Sequence, residues 1–281
     1  MDQYQLTRTA IAAFAEHLQR EERSPGTVEK YLRDLGNLHR WLNGRQVSRE
    51  CVAAWKESLC AAGYAPVTVN SMLAAAHSFF AFLGWTDCRV KYLRIQRKLF
   101  RDSSRTLNRS EYEQLLAAAQ ARGERRLALL METICSTGIR VSEVRYITVE
   151  AARQGRAEIT LKGKIRTILL PARLCRKLLK FAEKNRVASG EIFRTGSGSG
   201  MGRRQIWAEM KRLCRAAGVK ASKVFPHNLR HLFAAAYYRV YKDIARLADV
   251  LGHSSIETTR IYLLSTGTEQ ARQLDRLGLV S

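Results

Sequence analysis

The sequence predicts two domains, mainly helical, with one small β-sheet in the second. Three observations carry that reading. Apolar residues recur at helical spacing along most of the 281-residue chain, which is long enough for two cores. One stretch, AEITLKGKIRTILLP, has the β-branched content and central glycine, Gly163, of a short hairpin. Between Arg89 and Arg105 the texture changes: RVKYLRIQRKLFRDSSR holds seven basic residues and one acid. The expected division is a helical domain over 1–88, a basic linker over 89–105 and an α+β domain over 106–281.

The N-terminal stretch MDQYQLTRTAIAAFAEHLQR reads as an amphipathic helix with acids and bases, unlike a signal peptide. In SPGTVEKYLRDLGNLHRWLNG, Ser24 is the expected N-cap and Pro25 the first helical residue. Val28, Tyr31, Leu32, Leu35, Leu38 and Leu42 follow at helical spacing, and Asn43-Gly44 ends the run. SRECVAAWKESLCAAGY predicts a helix ending near Gly63, and APVTVNSMLAAAHSFFAFLGW another, with three phenylalanines near its end. In the second domain, Ser110 with Glu113 predicts a capping box ahead of a leucine-rich face. ERRLALLMETICSTGIRVSEV follows as an apolar helix running into a turn at Thr137-Gly138. TGSGSGMG is a loop; it lacks the strand–GxxxxGK(S/T)–helix pattern of a phosphate-binding P-loop and is read as flexible, with no nucleotide role.

Composition narrows the function. No apolar run approaches the ~18 residues of a membrane span, so a soluble, cytoplasmic protein without a membrane partner is expected. Six scattered cysteines form no CxxC pair and no zinc spacing, which predicts that most are small core residues in a reducing compartment and that there is no metal. Forty-eight Lys and Arg against 25 acids give a net charge of +23, and a polyanion, nucleic acid first, is the expected partner. The excess is uneven, +5 over residues 1–100 and +18 over 101–281.

Four separated pieces of polar chemistry lie in the second domain. TGIRVSEV sets Arg140 beside a turn, with Glu143 one helical turn later; LKGKIRT puts Lys162 and Lys164 at the hairpin; HNLRH places His227 and Arg230 at i, i+3; LGHSSIETTRIYL puts His253 after a glycine and Tyr262 nine residues on. Taken singly, each has a plain alternative. Arg140 can simply pair with Glu143, a hairpin lysine is usually solvated, His253 can cap or pack, and Tyr262 can be a buried aromatic. Their co-occurrence in one basic domain is what asks for a common explanation. Two arginines hold a phosphate by forked hydrogen bonds. Histidine and lysine move protons, and a tyrosine is a covalent nucleophile. Together they are the parts of a metal-free attack on a phosphodiester.

These motifs resemble those of the tyrosine recombinase, or phage integrase, family. TGIRVSEV is similar to its first-arginine motif, HNLRHLFA to its His-x-x-Arg motif and LGHSSIETTRIYL to its nucleophile motif, while SPGTVEKYLRDL resembles its core-binding domain. The resemblance implies a helical core-binding domain and an α+β catalytic domain. It implies that Arg140 and Arg230 clamp the scissile phosphate. His227 and His253 would bond its non-bridging oxygens, with His227 also placed to take the tyrosine proton. Lys162 would protonate the leaving 5′ oxygen, Glu143 would hold Arg140 or a neighbour, and Tyr262 would form a 3′-phosphotyrosyl link. His231 is assigned a structural role. The hairpin is one residue shorter than the family's common Gly-Lys-Gly-x-Lys form, which leaves Lys164 as the alternative to Lys162.

The resemblance further implies a minimal, Xer-like member acting on double-stranded DNA at inverted-repeat core sites. A homotetramer would bridge two sites, with accessory proteins where required and with no metal, ATP or cofactor. Leu274, Leu277 and Leu279, beyond Tyr262, would dock on a neighbouring subunit or on their own domain. Two other activities stay open at this point: a catalytically silent DNA-binding protein of the same fold, and a type IB topoisomerase-like enzyme.

Overall fold

Thr7, Ser24, Ser48 and Ala65 each stand in extended conformation directly ahead of a helix. The computed structural model, which describes residues 4–95, 103–161, 164–262, 272 and 274–277, places α1 at Arg8–Arg20, α2 at Pro25–Leu42, α3 at Arg49–Ala61 and α4 at Pro66–Phe82. Thr7 and Ser48 cap through their hydroxyls, whereas α2 and α4 begin on Pro25 and Pro66, whose fixed φ suits the first turn. Asn43 ends α2 in the left-handed region, as the Asn-Gly pair predicts. Val28, Leu35, Leu38 and Leu42 of α2 are buried with Phe14, Trp55, Phe79 and Phe80, and Tyr31 and Leu32 pack against the same core half-buried. Residues beyond α4 stay on this core. Asn70 of α4 brackets Leu93, accepting from its N–H and donating to its carbonyl, and Val90 is buried.

The chain divides into two compact units between residues 97 and 98. In the second, α5 spans Arg109–Ala121 and α6 Arg125–Thr137. The α5 cap differs from the Ser110–Glu113 expectation. Asn108 is the N-cap, its Oδ1 accepting from Glu111 N at 2.8 Å while Glu111 Oε2 accepts from Asn108 N at 3.0 Å. The same box therefore forms two residues earlier. The reason is packing: with Asn108 as cap, Leu107 is buried and Tyr112 lies against the same core, the two positions of a hydrophobic staple.

α6 is buried along much of its length and packs beside α10, Pro226–Tyr241. After α7 (Val149–Gln154), which the sequence reading did not single out, β1 (Arg156–Leu161) and β2 (Lys164–Leu169) form the expected antiparallel hairpin. Ala157 pairs with Ile168 and Ile159 with Arg166. Ala157, Ile159 and Ile168 are buried, while Ile165 and Leu169 are exposed. Arg166 therefore stands on the inward face. Then come α8 (Ala172–Lys184), α9 (Arg203–Ala217), α11 (Ile244–Leu251) and α12 (Ile256–Arg260). No described helix is long and apolar enough to cross a membrane.

Asn108→Ala should lower the unfolding free energy by about 1 kcal/mol, the usual cost of an N-cap. Ser110→Ala should stay within about 0.5 kcal/mol. Urea unfolding of the two variants checks the assignment; the opposite ranking would restore Ser110 as the cap.

Candidate active site

Gly138 ends α6 at φ +67°, and a Cβ there would run into the Phe233 ring. This left-handed exit buries Ile139 and turns Arg140 outward. Arg140 is then folded onto Glu143. Its N–H donates to Glu143 Oε2 at 2.7 Å, its Nη1 to Oε1 at 2.9 Å, and its Nη2 to the Gly252 carbonyl at 3.2 Å. Glu143 is only 2% exposed, whereas the Arg140 side chain keeps 43% of its surface. The predicted Arg140–Glu143 pair is thus real, and it leaves one side of the guanidinium open.

α10 begins at Pro226, which puts His227, Arg230 and His231 on neighbouring turns of one helix. Arg230 is 2% exposed. Its Nη1 donates to the Gly138 carbonyl, and its Nη2 donates to the Leu251 carbonyl at 2.7 Å and lies 2.9 Å from His253 Nε2. A guanidinium carries no lone pair, so this imidazole nitrogen is the acceptor. His253 therefore carries its proton on Nδ1, which donates to Thr259 Oγ1 at 2.9 Å. In this arrangement Nε2 does not offer a donor to a phosphate oxygen. The expected role of His253 requires Arg230 Nη2 to turn from it toward the phosphate.

Tyr262 follows α12 and is 4% exposed. Its ring is stacked with His253 at 5.6 Å, and the His227 centroid lies at 5.9 Å. His231, assigned a structural part, has the nearest imidazole, edge-on at 4.2 Å. The phenol also favours the charged form of Arg230. Burial holds His253 down at about 4, with Arg230, Arg140, Arg166 and His227 adding to the effect. His227 is lowered too, by burial and then by Arg230 and Arg140. Both imidazoles are neutral at pH 7.

The structure brings Arg140, Glu143, His227, Arg230, His253 and Tyr262 together. Lys162 lies outside the described residues, and of Lys164 only its backbone place, opposite Leu161 at the start of β2, is described. Leu279 also lies outside them, and Leu274 and Leu277 are exposed.

Sequence reading missed Arg166. Its Nη2 donates to Glu143 Oε2 at 2.8 Å and its Nη1 to the Leu251 carbonyl. The alternation Ile159, Arg166, Ile168 on one hairpin face was the available signal, hidden by the apolar residues on the other face. Thr259, which fixes the His253 tautomer, carried no signal in the motif. Three guanidiniums around one carboxylate leave two uncompensated positive charges, an arrangement that favours an anion. Beside it opens a cleft of about 510 Å³, lined by Arg140, His227 and Arg230 and by Arg203, Arg204 and Trp207 of α9. Among the described residues, no group of three or more His, Cys, Asp or Glu is placed to hold a metal ion.

Comparison with known proteins gives the family and the fold. The model of the phage integrase family matches residues 105–268, and that of the phage integrase N-terminal SAM-like domain matches 11–87. The chain belongs to the phage integrase family and is a tyrosine recombinase. It is 31% identical over 284 residues to tyrosine recombinase XerD of Brucella suis biovar 1, covering 90% of this chain and 91% of that one. It is 28% identical over 267 residues to XerD of Vibrio cholerae serotype O1, covering 88% of each. Its fold is that of lambda integrase(75-356), solved as a dimer bound to a COC' core site (TM-score 0.75, 16% identity, 94% of this chain and 96% of that one). XerH bound to difH substrate also shares it (TM-score 0.69, 20% identity, 95% and 84%).

A histidine held near 4 when folded and near 6.5 when unfolded takes up its proton on unfolding. Its contribution to stability is complete above about 6.5 and is lost as pH falls toward 4. Urea unfolding between these limits should show stability falling with pH, with a shallower fall in His253→Asn. Equal slopes in the two proteins would contradict the half-buried, neutral His253.

Proposed function

We propose that this chain is a site-specific DNA recombinase that cuts and rejoins duplex DNA, with Tyr262 as the nucleophile. The observation that carries the reading is the buried Arg230. It is anchored to two main-chain carbonyls and to neutral His253, with the Tyr262 phenol beside it and the open Arg140 fork alongside. Such preorganised cations stabilise the charge that develops on a phosphate under attack.

The Tyr262 oxygen attacks phosphorus, its proton passes to neutral His227, and the bond to the 5′ oxygen breaks as Lys162 protonates the leaving group. The DNA strand is left with a free 5′ hydroxyl and a 3′-phosphotyrosyl link. A 5′ hydroxyl from a second strand reverses the steps, restores the diester and returns the phenol its proton. Phosphodiester energy is retained throughout, so no ATP enters, and the two arginines occupy the place where a metal would otherwise balance charge.

The substrate in this reading is double-stranded DNA at inverted-repeat core sites, bound by a homotetramer that joins two sites. Charge supports it: the net +23 and the arginines of the α9 cleft suit a polyanion. The related fold of lambda integrase is solved as a tetramer on a Holliday junction, which supports the assembly. The domain division at 1–88, 89–105 and 106–281, a tail docked on a neighbouring subunit or on its own domain, accessory proteins and a cytoplasmic site of action belong to the same reading.

The deciding experiment incubates the chain with a nicked site that traps the cleaved strand. Wild type should form a covalent adduct in EDTA, and peptide mapping should place DNA on Tyr262. Tyr262→Phe, which deletes one oxygen, should bind the site normally and form none. Absence of a wild-type adduct would mean a silent DNA binder, and an adduct without joint products a topoisomerase-like enzyme. DNA on Tyr237, Tyr238 or Tyr241, or a need for Mg²⁺, would overturn the mechanism.

Arg230→Lys keeps the charge but cannot reach two carbonyls and His253 at once. Site binding should stay within about a few-fold of wild type while single-turnover cleavage falls on the order of 10²-fold, the usual loss for a preorganised transition-state donor. Near-normal cleavage would place Arg230 outside the chemistry.

A further inference from the structure

Arg166 stands outside the motif-defined set, yet it touches two of the groups that hold that set in place. Glu143 is shared: Oε1 takes Arg140 Nη1, and Oε2 takes both the Arg140 N–H and Arg166 Nη2. The Leu251 carbonyl is shared as well, receiving Arg230 Nη2 and Arg166 Nη1. The next carbonyl, that of Gly252, accepts from Arg140. One guanidinium thus ties the hairpin to the Arg140 turn and to the turn that delivers His253.

The fit is close. Gly252 lies at φ +63°, and a Cβ there would overlap the Arg166 side chain, so the turn rests directly on this arginine. The Arg166 side chain is 16% exposed. Its Nε is buried and makes no hydrogen bond among the described residues. Both of its Nη atoms face protein acceptors, and the cleft is lined by Arg140 and Arg230 without Arg166.

We propose that Arg166 is a positioning residue for the phosphate-binding arginines. It fixes Arg140 through Glu143 and fixes the Arg230–His253 contact through the Leu251–Gly252 turn, without touching DNA itself. The planar fork is essential to this role, because it spans a carboxylate and a carbonyl on two segments at once. A lysine offers one ammonium and reaches one of the two.

The proposal rests on the recombinase reading, and the test keeps the two apart. Full-length Arg166→Met and Arg166→Lys are compared with wild type on the nicked trap substrate. The scissile position carries either a phosphodiester or a methylphosphonate, which lacks one charged non-bridging oxygen. Circular dichroism and site binding report the fold; if Arg166→Met fails to fold, Arg166→Lys carries the test.

Binding should stay within about a few-fold of wild type. Cleavage of the diester should fall by roughly 10–100-fold in both variants, the range for residues that orient reacting groups. The gap to wild type should narrow several-fold on at least one methylphosphonate diastereomer, because less charge then has to be met by correctly aimed arginines. A defect of two-fold or less, near-normal cleavage by Arg166→Lys, or an equal defect on diester and both methylphosphonates would each overturn the positioning role while leaving the recombinase reading intact. A wild-type chain that cuts neither substrate would remove the recombinase reading and this proposal with it.

Discussion

A buried guanidinium sets the terms for the second unit of this protein. Taking a charge out of water costs several kcal/mol unless partners surround it. Arg230 has no direct carboxylate; it meets two main-chain carbonyls and one imidazole. Each of those acceptors exists only because a helix stops where it does. α6 must end at Gly138 and α11 at Gly252, both in the left-handed region, for Gly138, Leu251 and His253 to converge on α10. Secondary structure and site are therefore one construction: the helix ends are the ligands of the arginine.

The surplus of positive charge follows from the same arrangement. Glu143 answers Arg140 and Arg166, and Arg230 is answered by dipoles alone. Burial first, and cationic neighbours after it, keep His227 and His253 neutral. An arriving phosphate would change each of these balances in one direction, supplying the missing charge and making imidazole protonation easier. The site is poised for an anion before one arrives.

How much of this was legible in the sequence depended on how local each signal was. Helices α1 to α4 were plain, because caps, prolines and apolar periodicity all lie within about twenty residues of one another. The hairpin was plain for the same reason. The motif residues Arg140, His227, Arg230, His253 and Tyr262 were legible through their co-occurrence in one basic domain and their resemblance to known motifs, and the structure brings them to one place. Arg166 was not, because its importance comes from two acceptors on distant segments, and its own strand carries apolar residues on both faces. The α5 cap was misplaced by two residues, because burial of Leu107 selects between two equally good local patterns. The His253 tautomer was invisible too, since it is set by Thr259 and Arg230 together.

Main-chain acceptors have a further consequence, for mutational tolerance. No side-chain substitution deletes the carbonyl of Gly138 or Leu251, so the grip on Arg230 is insulated from drift at most neighbouring positions. Leu251 itself can exchange with other apolar residues of similar volume and still present the same oxygen. Fragility is concentrated instead at the two glycines, where any Cβ would be strained at positive φ and would meet Phe233 or Arg166. Sequence change around this site should thus be uneven, permissive along the helices and forbidden at two hinges that contribute main-chain oxygens and no side chain.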